Sequence, residues 1–300
     1  MILCVAANPS IDRLFEVERL VPGEIHRPAR FAQVPGGKGL NVARAAAALG
    51  GEVRTATLLG GHAGRWIAQE LEAAELDVDV AWADVETRSS LSVAGAPEGL
   101  TEFYEHGPEV AAADWARFAA LVARRAPAAG WMTISGSLPP GAPADAYARL
   151  VPLARTAFDS SAAGIDARPA LVKLNAGEAS AATGRPVADR PGAFAAAAAL
   201  HERSGGAAIV TLGRDGAVLV TADGGRLSAT SGAEGRYPVG SGDAFLAGVV
   251  VELDRGRGWE AALRLGIGAA AANAEVHGAG RLHRDRAEEL AAQAVVAVSP

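Results

Sequence analysis

A glycine-rich turn near the carboxyl end of the chain carries the residues best suited to chemistry. Pro238-Val239-Gly240-Ser241-Gly242-Asp243 precedes an apolar run from Ala244 to Leu253 that predicts a helix. The two glycines carry no side chain to block a ligand, and the N–H groups of 241–244 at the helix start favour an anion. A carboxylate beside an anion is unfavourable unless it accepts a proton there, so Asp243 is a candidate base. Taken alone, the turn favours the simpler interpretation, in which Asp243 is the helix cap.

A second glycine cluster opens another predicted helix near the amino end. It reads Pro35-Gly36-Gly37-Lys38-Gly39-Leu40-Asn41. Glycine backbone without side chains is thus followed by the cation of Lys38 and, about one helical turn further on, by the amide of Asn41. It is not a Walker P-loop, because no Ser or Thr follows the lysine. Neither cluster has the G-x-G-x-x-G spacing of a dinucleotide site. On its own the cluster is also compatible with a loop that ends in a solvated lysine.

Together with four further segments, the two clusters resemble the landmarks of the PfkB (ribokinase-like) carbohydrate kinases. The clusters are similar to the family's G-G-K-G-x-N-x-A and G-[AS]-G-D-x-F signatures. The other segments lie at 8–12, 135–139, 173–178 and 211–216, and read NPSID, SGSLP, KLNAGE and TLGRDG. The resemblance covers essentially the whole chain. It implies one ribokinase-like kinase domain over 1–300, with a doubly wound, mainly parallel central sheet, helices on both faces and a small β lid.

The order of predicted elements also indicates an α/β fold, because apolar strands alternate with helices along most of the chain. Two segments, 13–33 and 86–106, are strand-like and polar on one face, and the resemblance implies that they form the lid over a sugar. Ligands bind at the carboxyl ends of parallel strands, and Asp12, Ser135, Lys173 and Gly213 each follow an expected strand. The expected strands are 2–7, 53–58, 131–135, 156–158, 170–173, 207–212 and 216–220, and the expected helices are 39–49, 63–75, 143–154, 191–204, 244–253, 259–274 and 284–293.

Composition agrees with a soluble enzyme. The chain has 300 residues, of which 50% are hydrophobic, enough for one large core. A net charge of −6 argues against a nucleic-acid-binding protein. Cys4 is the only cysteine and lies in an apolar strand, so no disulfide framework is expected. No signal peptide and no uninterrupted apolar run of about 18 residues is evident, which predicts a cytoplasmic protein that does not cross a membrane.

The resemblance implies a role for each matched residue in phosphoryl transfer from ATP. Asp243 would accept the proton of the attacking hydroxyl, and the helix N-terminus is expected to favour its ionised form. The N–H groups of 240–243 would stabilise the transferring phosphoryl group. Glu178, with Asn175, would orient Mg²⁺ through water, because Mg²⁺ keeps several of its waters. The residues expected to hold the sugar are Asp12, Gly36, Gly37, Lys38, Asn41 and Ser137, and those expected at the nucleotide are Lys173, Asn175, Glu178, Thr211, Gly213 and Gly216.

Within the family, the segments look most like the phosphosugar branch, which comprises 1-phosphofructokinases and, next, tagatose-6-phosphate kinases. A phosphosugar brings a dianion, and Arg88, Arg27 and Lys38 are the candidate cations. Two departures weaken the choice of sugar, because Ser90 stands where the branch usually has Asn, and Leu174 replaces the proline of K-P-N.

Three functions therefore compete. The first is an ATP-dependent phosphohexose kinase, with fructose 1-phosphate the first choice of substrate. The second is a ribokinase-like kinase of an unphosphorylated sugar or nucleoside, and the third is a catalytically silent sugar- or nucleotide-sensing relative. Because lid sheets leave unpaired edges, a homodimer through the lids is also expected.

Overall fold

A computed structural model describes residues 1–95, 99–161, 163–233 and 235–299. The strands of the described residues are β1 (Ile2–Ala6), β2 (Ser10–Val17), β3 (Arg30–Gly36), β4 (Val53–Gly60), β5 (Asp77–Ala83), β6 (Ser89–Gly95), β7 (Gly99–Tyr104), β8 (Trp131–Ser135), β9 (Thr156–Asp159), β10 (Leu171–Asn175), β11 (Ala207–Thr211), β12 (Ala217–Val220), β13 (Arg226–Thr230) and β14 (Val295–Val298). The α-helices are α1 (Lys38–Ala48), α2 (Gly61–Ala73), α3 (Ala112–Arg125), α4 (Ala146–Leu150), α5 (Ala176–Thr183), α6 (Arg190–Ser204), α7 (Ser241–Asp254), α8 (Trp259–Glu275) and α9 (Arg284–Gln293).

The expected α/β fold is confirmed. One large sheet has the strand order β14-β13-β12-β11-β10-β9-β8-β1-β4-β5. Its strands are parallel from β5 to β11, and the last three join antiparallel, as expected for the pair β11 and β12. Strand β1 is buried on both faces. Leu3 and Val5 face the core under α3, α4 and α6, whereas Ile2 and Cys4 face the core under α1, α7, α8 and α9.

Several elements differ from expectation. The helix expected over 143–154 is shortened to α4 and a 3-10 turn, Val151–Leu153, because Pro143 precedes it and Pro152 removes a backbone donor. The sequence patterns predict no strand at β5, β13 or β14 and no helix at α3 or α5. Strand β5 begins with alternating aspartates at the exposed edge of the sheet, which makes it look like a polar loop. None of the helices in the described ranges is long and apolar enough to cross a membrane.

A second, four-stranded sheet, called the small sheet below, has the order β3-β2-β6-β7. Strands β2 and β6 are parallel, and the two outer pairs are antiparallel. Its strands begin at Ser10, earlier than the 13–33 segment expected, while residues 18–29 lie between strands. Asp12 therefore lies within β2 of the small sheet and not in a loop after a strand of the large sheet. Of the expected segment 86–106, residues 96–98 lie outside the described residues.

Candidate active site

A cavity of about 910 Å³ lies between the small sheet and the carboxyl ends of the parallel strands. Asp12 and Arg88 line it on the side of the small sheet, and the start of α7 lines it as well. The structure brings most of the expected site residues to this one cavity. Those that line it are Asp12, Gly37, Lys38, Asn41, Arg88, Ser137, Lys173, Asn175, Glu178, Thr211, Gly213, Gly216, Gly240, Ser241, Gly242 and Asp243.

Two expected residues do not line the cavity. Arg27 is exposed in the stretch between β2 and β3, so the structure does not bring it to the other candidates. Gly36 lies directly behind the cavity wall, where a Cβ would come within 1.9 Å of the Asp12 carboxyl carbon. Gly36 therefore serves the site by leaving room for Asp12.

The glycine-rich turn forms the start of α7. Gly240 has φ 80°, the left-handed conformation that glycine adopts without strain. The N–H groups of Ser241 and Asp243 donate back to the carbonyls of Pro238 and Gly240, each at 3.1 Å. The expectation that all four N–H groups of 240–243 face an anion is therefore too broad. Asn273 of α8 braces the turn, because its Nδ2 donates to the Val239 carbonyl at 2.9 Å.

Asp243 is buried at the first turn of α7, and Asn41 Nδ2 donates to its Oδ2 at 2.9 Å. Burial and the neighbouring Asp159 carboxylate raise the pKa of Asp243 to about 6, against the pull of Lys38 and Lys173. The expectation of a low pKa for Asp243 is wrong, since loss of solvent and the charge of Asp159 outweigh the two lysines and the Asn41 hydrogen bond. The raised pKa makes Asp243 a better proton acceptor near neutral pH.

Asp159, at the end of β9, is a site residue that the sequence patterns had not indicated. It is fully buried and accepts hydrogen bonds from Lys38 Nζ at 3.1 Å and Lys173 Nζ at 3.0 Å. Burial alone would raise the pKa of Asp159, but the two ammonium groups outweigh it and hold the pKa below its usual range. The available signal was an aspartate directly after the short apolar strand expected at 156–158, in line with the other strand ends.

Lys38 links this cluster to α5. Its Nζ also donates to Glu178 Oε1 at 2.7 Å. Burial lowers the pKa of Lys38, but attraction by Asp159, Asp243 and Glu178 prevails and raises it above the usual value. Lys38 is therefore a cation fixed by two carboxylates in the wall of the cavity.

Glu178 and Asn175 form a capping box at the start of α5. Asn175 Oδ1 accepts from the Glu178 N–H at 2.9 Å, and Glu178 Oε2 accepts from the Asn175 N–H at 3.0 Å. Both oxygens of Glu178 thus have partners already. Among the described residues no group of three or more acidic, His or Cys side chains is arranged to hold a metal ion. This donor set suits a hydrated ion held mainly by a nucleotide, not a dedicated protein cage.

Arg88 is held in place on the side of the small sheet. Its Nε and Nη2 donate to the Oδ1 and backbone carbonyl of Asn8, each at 3.2 Å, and its Nη1 donates to Ser90 Oγ at 3.1 Å. Asn8 Nδ2 in turn donates to Ser137 Oγ at 3.0 Å. The serine that replaces the expected asparagine at 90 thus still supports the arginine. Arg88 is a pre-positioned cation on the cavity wall.

Asp12 lies next to this arginine. Its Oδ1 accepts from Ser10 Oγ at 2.5 Å and its Oδ2 accepts from the Gly37 N–H at 3.3 Å. Burial raises the pKa of Asp12, while these hydrogen bonds and the charge of Arg88 act against the rise. The arrangement suits an acceptor for hydroxyl groups.

At the other end of the cavity the walls are made of small residues. Thr211 ends β11, and Gly213 begins the turn that leads to β12. Ala270, Ala271 and Ala274 of α8 face the same space. Arg214, next to Gly213, also lines the cavity. One end, beside the small sheet, thus carries acidic and basic side chains, and the other is lined mainly by small residues, a division that suits a polar acceptor and a nucleotide.

A doubly wound α/β fold with a charged cavity at the carboxyl ends of its strands suits a kinase of small molecules. The family profile of the pfkB family carbohydrate kinases matches residues 2–285. The chain belongs to this family, and it is an ATP-dependent sugar kinase.

Individual relatives agree. The chain is 34% identical to a 1-phosphofructokinase of Haloferax volcanii over 273 residues, covering 89% of this chain and 88% of that protein. It is 31% identical to a 1-phosphofructokinase of Xanthomonas campestris over 314 residues, covering 99% and 98%. Among solved structures, phosphofructokinase-2 of Escherichia coli in complex with substrates and products superposes with a TM-score of 0.89, 25% identity and 97% and 98% coverage.

Proposed function

We propose that this protein transfers the γ-phosphoryl group of ATP to a hydroxyl of a phosphohexose, and that the acceptor is fructose 1-phosphate. The observation that carries the proposal is Arg88, a cation fixed by Asn8 and Ser90 on the cavity wall beside Asp12. A dianionic substrate needs such a charge, whereas an unphosphorylated sugar does not. The names of the two curated relatives support the choice of fructose 1-phosphate.

The reaction needs alignment, charge neutralisation and one proton acceptor. Asp12 orients the sugar by accepting hydrogen bonds from its hydroxyl groups. The attacking hydroxyl oxygen bonds to the γ-phosphorus, the bond to the bridging oxygen breaks, and ADP leaves with that oxygen. Asp243 takes the proton of the hydroxyl, for which its pKa of about 6 is suited.

Positive charge for the phosphoryl group comes from the two lysines that share Asp159. A Cβ added to Gly242 would lie 3.1 Å from Lys173 Nζ, so this ammonium sits against the glycine-rich turn. Lys38 and Lys173, with the N–H of Gly242, would stabilise the charge that spreads over the phosphoryl oxygens. Thr211, Gly213 and Gly216 would border the nucleotide.

Mg²⁺ would be held by the ATP phosphates and would contact Glu178 and Asn175 through water. When bound, it would neutralise phosphate charge. The capping box matters here because it fixes the Glu178 carboxylate in one orientation at the start of α5.

The small sheet would act as a lid that keeps water from the reaction. Its outer surface carries exposed apolar side chains, Phe31 at 70% and Phe103 at 55% exposure, with Ile25 at 85% in the adjoining stretch. Such a patch favours burial against another subunit. We therefore propose a homodimer through the lids.

The proposal is tested by ADP release with fructose 1-phosphate, fructose 6-phosphate, tagatose 6-phosphate, fructose and ribose as acceptors. Fructose 1-phosphate is expected to give the highest kcat/KM. The variant Arg88→Ala loses a charge-assisted contact of roughly 1.5–3 kcal/mol, so KM for the phosphosugar rises about tenfold to a hundredfold. The KM for ATP stays unchanged.

The matched control is Arg13→Ala. Arg13 lies on β2 of the same small sheet, but it is exposed and its Nε donates a hydrogen bond to Gln33 Oε1. Its removal should leave both KM values near those of the wild type. A wild type that prefers fructose or ribose, or an Arg88→Ala variant with an unchanged phosphosugar KM, would refute the phosphosugar assignment.

A further inference from the structure

Arg44 is a residue of α1 and lies one helical turn after Asn41. Its Nη2 donates to Asn41 Oδ1 at 2.8 Å and also to the backbone carbonyl of Ala279. Asn41 Nδ2 in turn donates to Asp243 Oδ2. A continuous chain of hydrogen bonds therefore connects Arg44 to the carboxylate that accepts the proton.

Arg44 determines which group donates and which accepts in this series of hydrogen bonds. A guanidinium can only donate, whereas an amide side chain can present its oxygen or its NH₂ group at the same place. Next to Arg44, the amide of Asn41 must present its oxygen, and its NH₂ group is then directed at Asp243. The reversed amide would place Oδ1 against the carboxylate, which favours the protonated form of Asp243.

We propose that Arg44 is a positioning residue for the phosphoryl transfer: it fixes the amide orientation of Asn41, and the amide keeps Asp243 ready to accept a proton. The inference rests on the proposed role of Asp243 as the base.

The Arg44 side chain is held by protein groups, not by solvent. Its Nε is buried without a hydrogen-bond partner among the described residues. Such burial is unfavourable and lowers the pKa of Arg44 to about 10, although Asp12 and Asp243 act against the fall. The group stays charged at neutral pH and remains a pure donor.

Other charges near the two groups must be considered in any pH test. Those that face Asp243 are Lys38 and Arg44 of α1, Lys173 of β10, Asp159 of β9 and Tyr104 of β7. Those that face Arg44 are Asp12 of β2, Asp243 of α7 and Arg281, which follows α8. Because Arg44 also attracts Asp243 directly, the experiment must separate this charge effect from the effect through the amide.

The experiment measures kcat against pH for the wild type, Arg44→Met and Arg44→Lys at saturating substrates. In the profile of kcat against pH, Arg44→Met should move the midpoint of the acidic limb to a pH higher by about one unit. A shift of this size corresponds to the loss of one hydrogen bond to a carboxylate. The kcat of this variant then falls about tenfold relative to the wild type near pH 5 and hardly at all near pH 8.5. Arg44→Lys retains a pure donor and should keep the limb close to that of the wild type.

The same substitution in an Asn41→Ala background separates the two effects. If Arg44 acts through the amide, Arg44→Met adds no further shift once the amide is gone. An equal shift in both backgrounds would show a direct charge effect and overturn the proposal. A kcat lowered equally at every pH would indicate a purely structural role through Ala279 and would overturn it as well.

Arg149→Met is the control, because Arg149 is exposed and pairs with Asp145, the residue that precedes the first turn of α4. Its pH profile should match that of the wild type. If Arg44→Met does not fold, Arg44→Gln replaces it. A glutamine can present either a donor or an acceptor to Asn41, so the limb should move in the same direction by a smaller amount, and an unmoved limb refutes the proposal.

Failure of this inference is distinguishable from failure of the proposed mechanism. If Asp243→Asn retains the kcat of the wild type, the assignment of the base is wrong. If Asp243→Asn is inactive while Arg44→Met leaves the acidic limb in place, only the role of Arg44 is refuted.

Discussion

Asp243 and Asp159 are buried carboxylates that face the same two lysines, yet their pKa values are displaced in opposite directions. Asp159 accepts directly from both ammonium groups, whereas the hydrogen-bond partner of Asp243 is the neutral amide of Asn41. Direct ion pairing compensates for lost solvent at Asp159, and a single amide does not do so at Asp243. The site thus holds one carboxylate that stays ionised and one that can take a proton, which is the division that proton transfer requires.

Replacing Asp243, the proposed proton acceptor, tests this division. Asp243→Asn should lower kcat by about 10²–10⁴-fold, the usual contribution of a general base. The KM for ATP should hardly change, because Asp243 faces the acceptor hydroxyl in the proposed mechanism. Coupled measurement of ADP release would check both values, and the Arg149→Met variant controls for expression and handling.

The same substitution should stabilise the protein at neutral pH. A carboxyl whose pKa rises from 3.8 to about 6 on folding favours the folded state only while it is protonated. Its stabilising contribution is present below about pH 4 and is lost as the pH rises through 6. Asp243→Asn avoids this loss, so its free energy of unfolding at pH 7–8 should exceed that of the wild type by up to about 3 kcal/mol. Urea unfolding at pH 4 and pH 8 checks this, and a gain that is equal at both pH values would contradict it.

Helices and strands determine where these side chains meet. A Cβ added at Gly39 would lie 2.6 Å from both the Ala6 Cα and the Val5 carbonyl oxygen, so the first turn of α1 packs directly on the end of β1. This close approach brings Lys38 and Asn41 over the carboxyl ends of the parallel strands. The capping box of α5 positions Glu178 opposite Lys38 in a similar way.

Gly39→Ala tests the packing of α1. The added methyl group meets backbone atoms that cannot rotate away, so overpacking should cost roughly 1–3 kcal/mol of unfolding free energy. Because α1 must shift, kcat/KM should fall as well. The control is Gly258→Ala, where a Cβ meets nothing within 4 Å and φ is −75°. Thermal unfolding and initial rates of both variants provide the comparison, and equal behaviour would mean that the approach of α1 to β1 is not tight.

Two of the surfaces that the described residues form carry large apolar side chains that are more than half exposed. One belongs to the small sheet and carries Phe31 and Phe103, and the other is β14 at the far edge of the large sheet, where Val298 is 84% exposed. The small sheet is also the surface that covers the cavity in the proposed mechanism. Pairing of two small sheets would bury the aromatic side chains and satisfy open strand edges at the same time.

Light scattering should therefore give about twice the chain mass of 30.4 kDa. The double variant Phe31→Ser, Phe103→Ser should dissociate to monomers, since it removes most of the apolar contact. Val298→Ser, on the other exposed edge, should remain a dimer. A wild type that scatters as a monomer at working concentration would rule out the dimer but not the role of the small sheet as a lid.

Local patterns in the chain were enough to determine the fold class, the alternation of elements and both glycine-rich helix starts. These features depend on neighbours in the sequence, such as the run of apolar residues in β1 and the glycines before Lys38 and Asp243. Ordered short segments likewise identified most of the residues that line the cavity. The unpredicted strand β5 and the shortened helix α4 show where exposed edges and prolines weaken such patterns.

Only the tertiary structure decided how the site is charged. Asp159 became a site residue because β9 ends beside Lys38 and Lys173, and the pKa of Asp243 depends on burial by elements far apart in the chain. Asn41 and Asp243 are 202 positions apart, so no local pattern contains their hydrogen bond. Electrostatic effects depend on distance in space and on access of water, and both arise only when the chain has folded.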